Sequence, residues 1–522
     1  MSIFRPLSSK IRLQRVQSVS SVRCYHSYPD PNEKPQITQT ISNAKQQLNK
    51  KEFALHKTFS LKEAFPGAPL SKGLDTSITP KTLQTTLSNG FTVASQELPG
   101  LMSSFAFIVR AGSSYETQTG KDAAVGATHF LELNAFKSTK NKNQLELVTE
   151  IEKMGGLIQC VTTRENIIYC IDVLRENTVP AFQLFADSIF NPTYPDDELE
   201  EARMIIQLQQ EELPSEIFSR DLVQQAGYLN KPLGNHHFCP VDLVNNITSK
   251  HLYQFRDHYY VPSNSVLSGV GIDHNELISL SEKYFKFPSA SNNSKIVRPT
   301  SQYTGGLLLN HRELKEPFVK IAMAFDCGGW KDDSLIAVCV LQQLLGGGSS
   351  FSAGGPGKGM YSRLYTQVLN RYHWAESVES FVSIHEDHGI LGIDGACPPA
   401  NIPHMIRTIV QQFSELAVRP ISKIELSRAK NMLKSMMMMQ LESRLVICED
   451  IARQIITFGY REDPIEVCKK IDAITEKDLM NVAIRMLQSP PSIGVVGPDL
   501  SHVPSYDDIK LYTQNYYQEY KK

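Results

Sequence analysis

Several common features of proteins are missing from this sequence of 522 residues. It contains nine cysteines, an odd number without a C-x-x-C pair, which indicates reduced thiols in a core rather than a disulfide framework or a zinc knuckle. It has no run of about 18 apolar residues, so we do not expect a helix that spans a membrane. Its net charge is only -2, which gives no reason to expect nucleic acid as a partner.

Acidic residues are absent from the start of the chain, where the first one is Asp30. Serine is frequent there, and the segment carries several basic residues: Arg5, Lys10, Arg12, Arg15 and Arg23. This composition is typical of a mitochondrial transit peptide, and the alternative is a disordered basic tail without a targeting role. We expect residues 1–25 to direct the chain to the mitochondrial matrix and residues 26–80 to form an N-terminal extension.

Two later stretches of the chain contain the same order of predicted elements. Each begins with a buried strand, at 104–111 and at 318–325, followed by a Gly turn and a helix, at 123–136 and at 335–345. A hairpin, a further helix and a long helix follow in both stretches. Such internal repetition predicts two similar structural units, and chance similarity between two generic α+β domains is the alternative.

The predicted fold class is therefore α+β, with two homologous domains that each pack helices on a mixed β-sheet. We expect the N-terminal domain at 81–285 and the C-terminal domain at 307–522. A polar segment rich in proline, serine and asparagine lies between them, and it predicts a linker at 286–306. Since 522 residues are too many for one hydrophobic core, this division agrees with the length of the chain.

The first helix of the N-terminal repeat contains His129, Glu132 and Leu133 in the order H-x-x-E-L. A complete inverted zinc-peptidase motif reads H-x-x-E-H, in which two histidines four residues apart share one zinc ion and the glutamate acts as general base. Leucine has no donor atom, so this motif lacks a ligand. We interpret His129 and Glu132 as degenerate remnants, without a catalytic role and without a bound metal.

At this point the sequence resembles the M16 metallopeptidase family, from about Thr82 to its C-terminal end. The segment from Phe255 to Asn264 is similar to the family's approach to the last strand of the first domain. The resemblance implies a third zinc ligand on a long helix roughly 76 residues beyond the motif. That position falls among the amides Gln207, Gln209 and Gln210, with Glu211 and Glu212 beside them. The vicinal pair His236 and His237 is interpreted as part of a loop, because neighbouring histidines do not easily share one ion.

A glycine-rich segment follows the corresponding helix of the second repeat. It lacks the G-K-[ST] sequence of a phosphate-binding loop, because Gly359 follows Lys358. Its exposed backbone suits extended peptides of varied sequence, whereas a plain flexible linker is the alternative. The candidate substrate-binding residues of this segment are Gly346, Gly347, Gly348, Ser349, Ser350, Phe351, Gly354, Gly355, Gly357, Lys358 and Gly359.

This segment is similar to the glycine-rich loop of the non-catalytic, substrate-binding subunits of the M16 family. The resemblance implies a heterodimer with a zinc-bearing subunit, which removes basic presequences from imported mitochondrial proteins. This chain would bind the presequence in extended form and need no cofactor of its own. Acidic residues that would attract such a substrate are Glu211, Glu212, Glu216, Glu376, Glu379, Glu386 and Asp387, of which Glu376 and Glu379 are the candidates for direct contact.

Two other functions fit parts of the sequence. Structural core proteins of the respiratory cytochrome reductase complex are M16 relatives that have also lost zinc ligands, but the long glycine-rich segment is not expected in a purely structural protein. An autonomous zinc peptidase is disfavoured by Leu133. The sequence therefore predicts a non-catalytic subunit of a zinc metalloendopeptidase complex.

Overall fold

The computed structural model describes residues 80–117, 124–287, 296–313, 317–349 and 360–521. The predicted transit peptide at 1–25 and nearly all of the predicted extension lie outside the described residues, as do residues 350–359 of the glycine-rich segment. Among the described residues no helix combines the length and the apolar character that crossing a membrane requires.

The first half of the described chain forms a sheet of six strands in the order β1-β2-β6-β3-β5-β4. All neighbouring strands are antiparallel except β2 and β6, which are parallel. The Asn89-Gly90 pair in the sequence predicts a hairpin turn. The structure confirms this turn between β1 and β2, where Gly90 has a φ of 86°. The strands are β1 (Leu83–Thr86), β2 (Thr92–Gln96), β3 (Met102–Val109), β4 (Leu157–Thr162), β5 (Ile167–Leu174) and β6 (Ser265–Val270).

The second half forms another sheet of six strands, in the order β7-β12-β8-β11-β10-β9. Strands β7, β12, β8, β11 and β10 repeat the order and the relative directions of β2, β6, β3, β5 and β4, so the predicted repeat is confirmed. Strand β9 has no counterpart in the first sheet. The strands are β7 (Gly306–His311), β8 (Val319–Asp326), β9 (Gly347–Ser349), β10 (Ser377–Ile384), β11 (Gly389–Cys397) and β12 (Ser492–Gly497).

Helices cover both sheets and bury their apolar sides in two large cores. Helices of the first half are α1 (Ala127–Leu133), α2 (Gln144–Lys153), α3 (Thr178–Phe190), α4 (Asp196–Glu212), α5 (Ser215–Gly227), α6 (Ser249–Tyr259) and α7 (His274–Tyr284). Helices of the second half are α8 (Leu335–Leu345), α9 (Ile402–Val418), α10 (Lys423–Gln440), α11 (Arg444–Phe458), α12 (Pro464–Ala473), α13 (Glu476–Gln488) and α14 (Tyr506–Lys521). The α+β fold class with two mixed sheets is thereby confirmed.

The two halves exchange one helix each. Helix α5 of the first half packs on β12 and β8 of the second sheet, where Val223 contacts a small cluster that includes Ala322 and Phe381. Helix α11 of the second half packs on β3 and β6 of the first sheet, and its Ile451 joins a core with Ile108. Each sheet is therefore covered on its second face by the other half, which makes the burial of apolar surface mutual.

Most predicted elements agree with the structure to within two residues, and the helix predicted at 335–345 is confirmed as α8. The helix predicted at 123–136 was too long, because the described helix α1 spans Ala127–Leu133. Phe136 has a φ of 59°, outside the helical region, so the chain turns away soon after Leu133. Gly306, the last residue of the predicted linker, begins β7. The other domain boundaries stay a prediction.

Candidate functional site

A buried carboxylate fixes the start of helix α1, which carries the remnant motif. Glu116 accepts hydrogen bonds from the backbone N–H groups of Gly126 and Thr128, both at 2.8 Å, and from the Thr128 hydroxyl at 2.6 Å. These groups belong to the first turn of the helix, which lacks partners within the helix itself. Burial raises the pKa of Glu116 to about 7. The helix is thus held from its first residue, and the motif side chains have fixed positions.

His129 lies on the inner side of α1 and is only 4% exposed. Its Nδ1 accepts a hydrogen bond from the backbone N–H of Cys239 at 3.2 Å. Burial, together with the nearby His237, lowers the pKa of His129 to about 3. Burial also lowers the pKa of His237 to about 4, so both imidazoles are neutral at physiological pH. The loop position predicted for His237 agrees with the structure, but its burial beside His129 was not predicted.

The side chain of Glu132 is hydrogen-bonded to the first sheet. Its carboxylate accepts hydrogen bonds from the backbone N–H of Thr162, at 2.8 Å, and from the hydroxyl of the same residue. Burial raises the pKa of Glu132. Because Thr162 is the last residue of β4, this pair joins helix α1 to the sheet. Glu132 therefore acts as a structural acceptor here, and Leu133 packs against the core of the first half.

The position of the third zinc ligand is occupied by an amide. The side chain of Gln209 on α4 forms a hydrogen bond with His129. This bond raises the pKa of His129 and offsets a part of the lowering caused by burial. The neighbouring Glu211 and Glu212 are exposed at the C-terminal end of α4. Among the described residues no group of three or more His, Cys, Asp or Glu side chains could hold a metal ion. A histidine, a leucine and an amide do not fit zinc, which binds anionic or imidazole ligands.

The start of the glycine-rich segment forms strand β9 at the edge of the second sheet. Gly347 and Gly348 lie opposite Glu379 and Val378 of β10. A Cβ atom at Gly347 would lie 2.1 Å from the carbonyl oxygen of Val378, and the φ of Gly347 is 118°. At Gly346, with a φ of 56°, a Cβ atom would lie 2.4 Å from Cβ of Ser362. Only glycine fits at both positions.

The two ends of the glycine-rich segment meet at the edge of the second sheet. The backbone N–H of Ser380 donates to the carbonyl of Gly346 at 2.8 Å, and the N–H of Gly347 donates to the hydroxyl of Ser362 at 3.1 Å. Arg363 then forms a bidentate ion pair with Glu425 at 2.9 and 3.0 Å. These contacts give the segment a fixed base. Its predicted binding residues Ser350, Phe351, Gly354, Gly355, Gly357, Lys358 and Gly359 lie outside the described residues.

The two acids predicted to contact substrate differ in their surroundings. Glu379 forms an ion pair with Arg220 of the exchanged helix α5 at 3.2 Å. Arg220 also pairs with Asp394 and lies over the ring of Phe381, 5.3 Å from its centroid. The carboxylate of Glu376 is partly exposed and forms no ion pair with a described residue. Binding of substrate by either acid stays a prediction. Of the two, Glu379 is paired with Arg220, whereas Glu376 has no ion-pair partner among the described residues.

The halves also meet in a cluster of charges that sequence reasoning missed. The Glu386 carboxylate lies 3.3 Å from Arg298, 2.6 Å from Lys331 and 3.8 Å from Arg110. Its backbone N–H donates to the Glu165 carboxylate at 3.0 Å. Burial raises the pKa of Glu165 to about 7. These residues come from both repeats and from the segment between them, so Glu386 holds the halves together instead of facing a substrate.

Comparison with known proteins agrees with this geometry. Residues 92–241 match the model of the family described as "Insulinase (Peptidase family M16)", and residues 246–433 match "Peptidase M16 inactive domain". The mitochondrial-processing peptidase subunit alpha of Bos taurus is 33% identical over 484 residues, which covers 87% of this chain and 91% of the relative. A probable mitochondrial-processing peptidase subunit alpha-1 of Arabidopsis thaliana is 35% identical, covering 86% and 88%. The subunit alpha of Solanum tuberosum is 36% identical, covering 82% and 84%.

These similarities extend through both sheets and confirm the resemblance that the remnant motif and the repeat indicated. Identity above 30% over most of both chains also means that the relatives share the domain arrangement described above. The chain therefore belongs to the M16 peptidase family and groups within it with the alpha subunits of mitochondrial processing peptidases.

Proposed function

We propose that this chain is the non-catalytic alpha subunit of a mitochondrial processing peptidase. In this role it works in the mitochondrial matrix, binds the basic presequence of an imported precursor and presents it to a zinc-bearing beta subunit. One observation carries the proposal above all others. The chain keeps the fold of the family over both halves, yet Leu133 and Gln209 occupy two of the three zinc-ligand positions.

The remaining members of the motif support a loss of catalysis. A general base must reach the water that it activates, but Oε2 of Glu132 accepts two hydrogen bonds from Thr162, which hold the carboxylate against the first sheet. His129 is neutral and accepts a hydrogen bond from Cys239. Both residues thus have structural roles that do not require a metal. The hydrolytic chemistry is accordingly assigned to the partner subunit.

The glycine-rich segment supports a role in binding peptide. Glycines at 346 and 347 are required by positive φ values and by close contacts with the Ser362 side chain and the Val378 carbonyl, so this segment does not have the tolerance of an ordinary linker. A backbone that lacks side chains can contact peptides of different sequence equally well. This suits a subunit that must accept many presequences. In the alternative function, that of a structural core protein, the requirement for glycine at 346 and 347 would serve no purpose.

Reconstitution tests the proposal directly. The chain, a zinc-bearing beta subunit and their mixture are each incubated with a precursor that carries a basic presequence. We expect cleavage by the mixture only, and about tenfold weaker precursor binding when residues 350–359 are replaced by a short serine linker. The Glu282→Gln variant, which changes an exposed residue of α7 outside the segment, is the control and should bind the precursor as the unmodified chain does. Cleavage by the isolated chain, or unchanged binding after the replacement, would contradict the proposal.

A further inference from the structure

Helix α4 presents an unusual face to solvent. Its inner side buries Leu199, Ala202 and Ile206, while Met204 and Leu208 point outward and are 62% and 46% exposed. At 100° per residue, a group of outward residues falls within about 100° of arc on the helix. We call this group the α4 face, and it consists of Asp197, Glu201, Met204, Leu208, Glu211 and Glu212.

The N-terminal end of the α4 face opens into a groove between α4 and α2. The groove has a volume of about 440 Å³, and Leu145 and Val148 of α2 line it together with Asp197 and Glu201 of α4. Leu145 is 77% exposed. The apolar surface therefore continues from the groove onto Met204 and Leu208, with carboxylates along it. From Asp197 to Glu212 the face is about 22 Å long, at 1.5 Å per residue.

The charges of the helix give the surface a strongly acidic character. Helix α4 contains seven acidic residues and one arginine. Those in the first turn are stabilised by the positive end of the helix dipole, but Glu211 and Glu212 lie at its negative end, where a carboxylate is unfavourable. Neither forms an ion pair with a described residue, although the charge of Glu211 acts on the nearby Arg312. Glu216, Glu379 and Glu386, in contrast, have cationic partners within the chain.

We propose that the α4 face and its groove form a docking surface for the basic amphipathic part of a presequence. This inference rests on the proposed function and adds a site that is separate from the glycine-rich segment. The occupant is identified by charge complementarity. Glu201 of the α4 face is paired with Lys137, whereas Glu211 and Glu212 form no ion pair with a described residue. Exposed apolar side chains beside these two carboxylates match a segment in which arginines and lysines are interleaved with apolar residues.

Residues 1–25 of this chain have the same chemistry as the proposed occupant and supply a defined probe. They contain arginine and lysine without acids, and Leu13, Val16 and Val19 recur with helical spacing. A helical segment of four turns is about 22 Å long and would match the α4 face in length. Such a segment would place apolar side chains on Met204 and Leu208 and basic side chains near Glu211 and Glu212.

The test uses the heterodimer with the zinc-bearing subunit and measures binding of a fluorescent peptide of residues 1–25 by anisotropy. One variant combines Met204→Ser with Leu208→Ser, and another combines Glu211→Gln with Glu212→Gln. All four residues are exposed, so the fold should persist. We expect each variant to bind about fivefold more weakly, and the glutamine variant to lose part of the salt dependence of binding.

Matched controls separate the site from general changes of surface chemistry. Ile424→Ser removes an exposed apolar residue from α10, and Glu282→Gln removes an exposed carboxylate from the last turn of α7. Both controls should bind the peptide as the unmodified heterodimer does. Unchanged binding by the α4 variants, equal losses in the controls, or loss of heterodimer assembly would overturn the inference. A peptide that does not bind even the unmodified heterodimer would instead contradict the proposed function.

Discussion

The two halves of the molecule share one arrangement of five strands. They differ in the segment that follows the first long strand, which is β3 in the first half and β8 in the second. In the first half, the chain continues through helix α1, whose buried His129 and half-buried Glu132 accept hydrogen bonds from Cys239 and Thr162. In the second half, it continues through helix α8 into the glycine strand β9, which lies at the exposed edge of the sheet. The helix that carries the remnant zinc motif is thus part of the core of the first half. The corresponding part of the second half forms a strand at the edge of its sheet.

The two halves show that a few side chains decide the chemistry of a site while the fold around it stays the same. Replacing a zinc ligand by leucine removes a donor atom but adds apolar contacts to the core. The polar groups left behind must then find partners, because an unpaired buried donor or acceptor is costly. Thr162 and Cys239 provide them. In the second half, glycines allow a backbone approach that no other residue permits.

The largest expected effect concerns Glu386, whose carboxylate joins the two halves. Replacing Glu386 by alanine leaves Arg298, Lys331 and Arg110 facing one another without their shared anion. We expect a loss of about 3 kcal/mol in the free energy of unfolding, because Glu386, Arg110 and Arg298 are mostly buried; Arg298 keeps Asp387 as a partner, and the exposed Lys331 contributes little. Chemical denaturation measures the change. The exposed ion pair of Glu466 with Lys469 provides the control, and Glu466→Ala should cost under about 0.5 kcal/mol.

The second prediction concerns the constraint that is specific to the second half. In Gly347→Ala the new methyl group collides with the carbonyl of Val378 at a positive φ. We expect the variant to lose about 2 kcal/mol of stability, or to release β9 from the sheet, and to bind peptide more weakly. Thermal unfolding and peptide affinity are measured side by side with Gly155→Ala, where φ is also positive but a Cβ atom meets no atom within 4 Å. Equal behaviour of both variants would show that β9 is not constrained by its neighbours.

The smallest effect is a dependence of stability on pH that arises where the halves meet. The pKa of Glu165 is raised by burial from 4.5 to about 7, so the folded state binds its proton more tightly than the unfolded state. Its contribution to stability is therefore complete below pH 4.5 and is lost as pH rises towards 7. The neutral buried His129 and His237 act in the opposite direction below pH 6.5.

Substitution separates these opposing contributions. In Glu165→Gln the slope of unfolding free energy between pH 4.5 and 7 should become more positive by at most about 1 kcal/mol per pH unit. The amide keeps a hydrogen-bond acceptor for the N–H of Glu386, which limits other effects. Unfolding is measured at several pH values in parallel with the unmodified chain. Identical slopes would show that Glu165 does not change its proton affinity on folding.

Local signals in the sequence were sufficient for most elements. The Asn-Gly pair predicted the first hairpin, and the continuous apolar run at 335–345 predicted helix α8. The lack of a donor at Leu133 was visible from the motif, and the family resemblance placed the third ligand near Gln207, Gln209 and Gln210, with Glu211 and Glu212 beside them. The structure brings Gln209 to His129. These features depend on neighbours within the chain or on a known motif, which is why a single sequence can indicate them.

The exchanged helices, strand β9 and the charges around Glu386 could not be predicted in the same way. Periodicity shows which side of α5 is apolar but not that the opposite repeat supplies the sheet beneath it. Three glycines indicate a loop, and only their position opposite Val378 and Glu379 of β10 makes Gly347 and Gly348 part of a sheet. The cations around Glu386, among them Arg110 and Arg298, are distant from it in sequence, so no local pattern indicates that they meet.

We propose that this chain binds the substrate and that its partner subunit holds the metal that cuts it. Zinc content of the purified chain, measured by mass spectrometry after equilibration with zinc and removal of free ion, tests this most directly. Leu133→His combined with Gln209→Glu is the positive control, because it restores two ligands beside His129 and should bind zinc at least about a hundredfold more tightly. We expect no retained zinc in the unmodified chain. One tightly bound zinc ion in each unmodified chain would contradict the account.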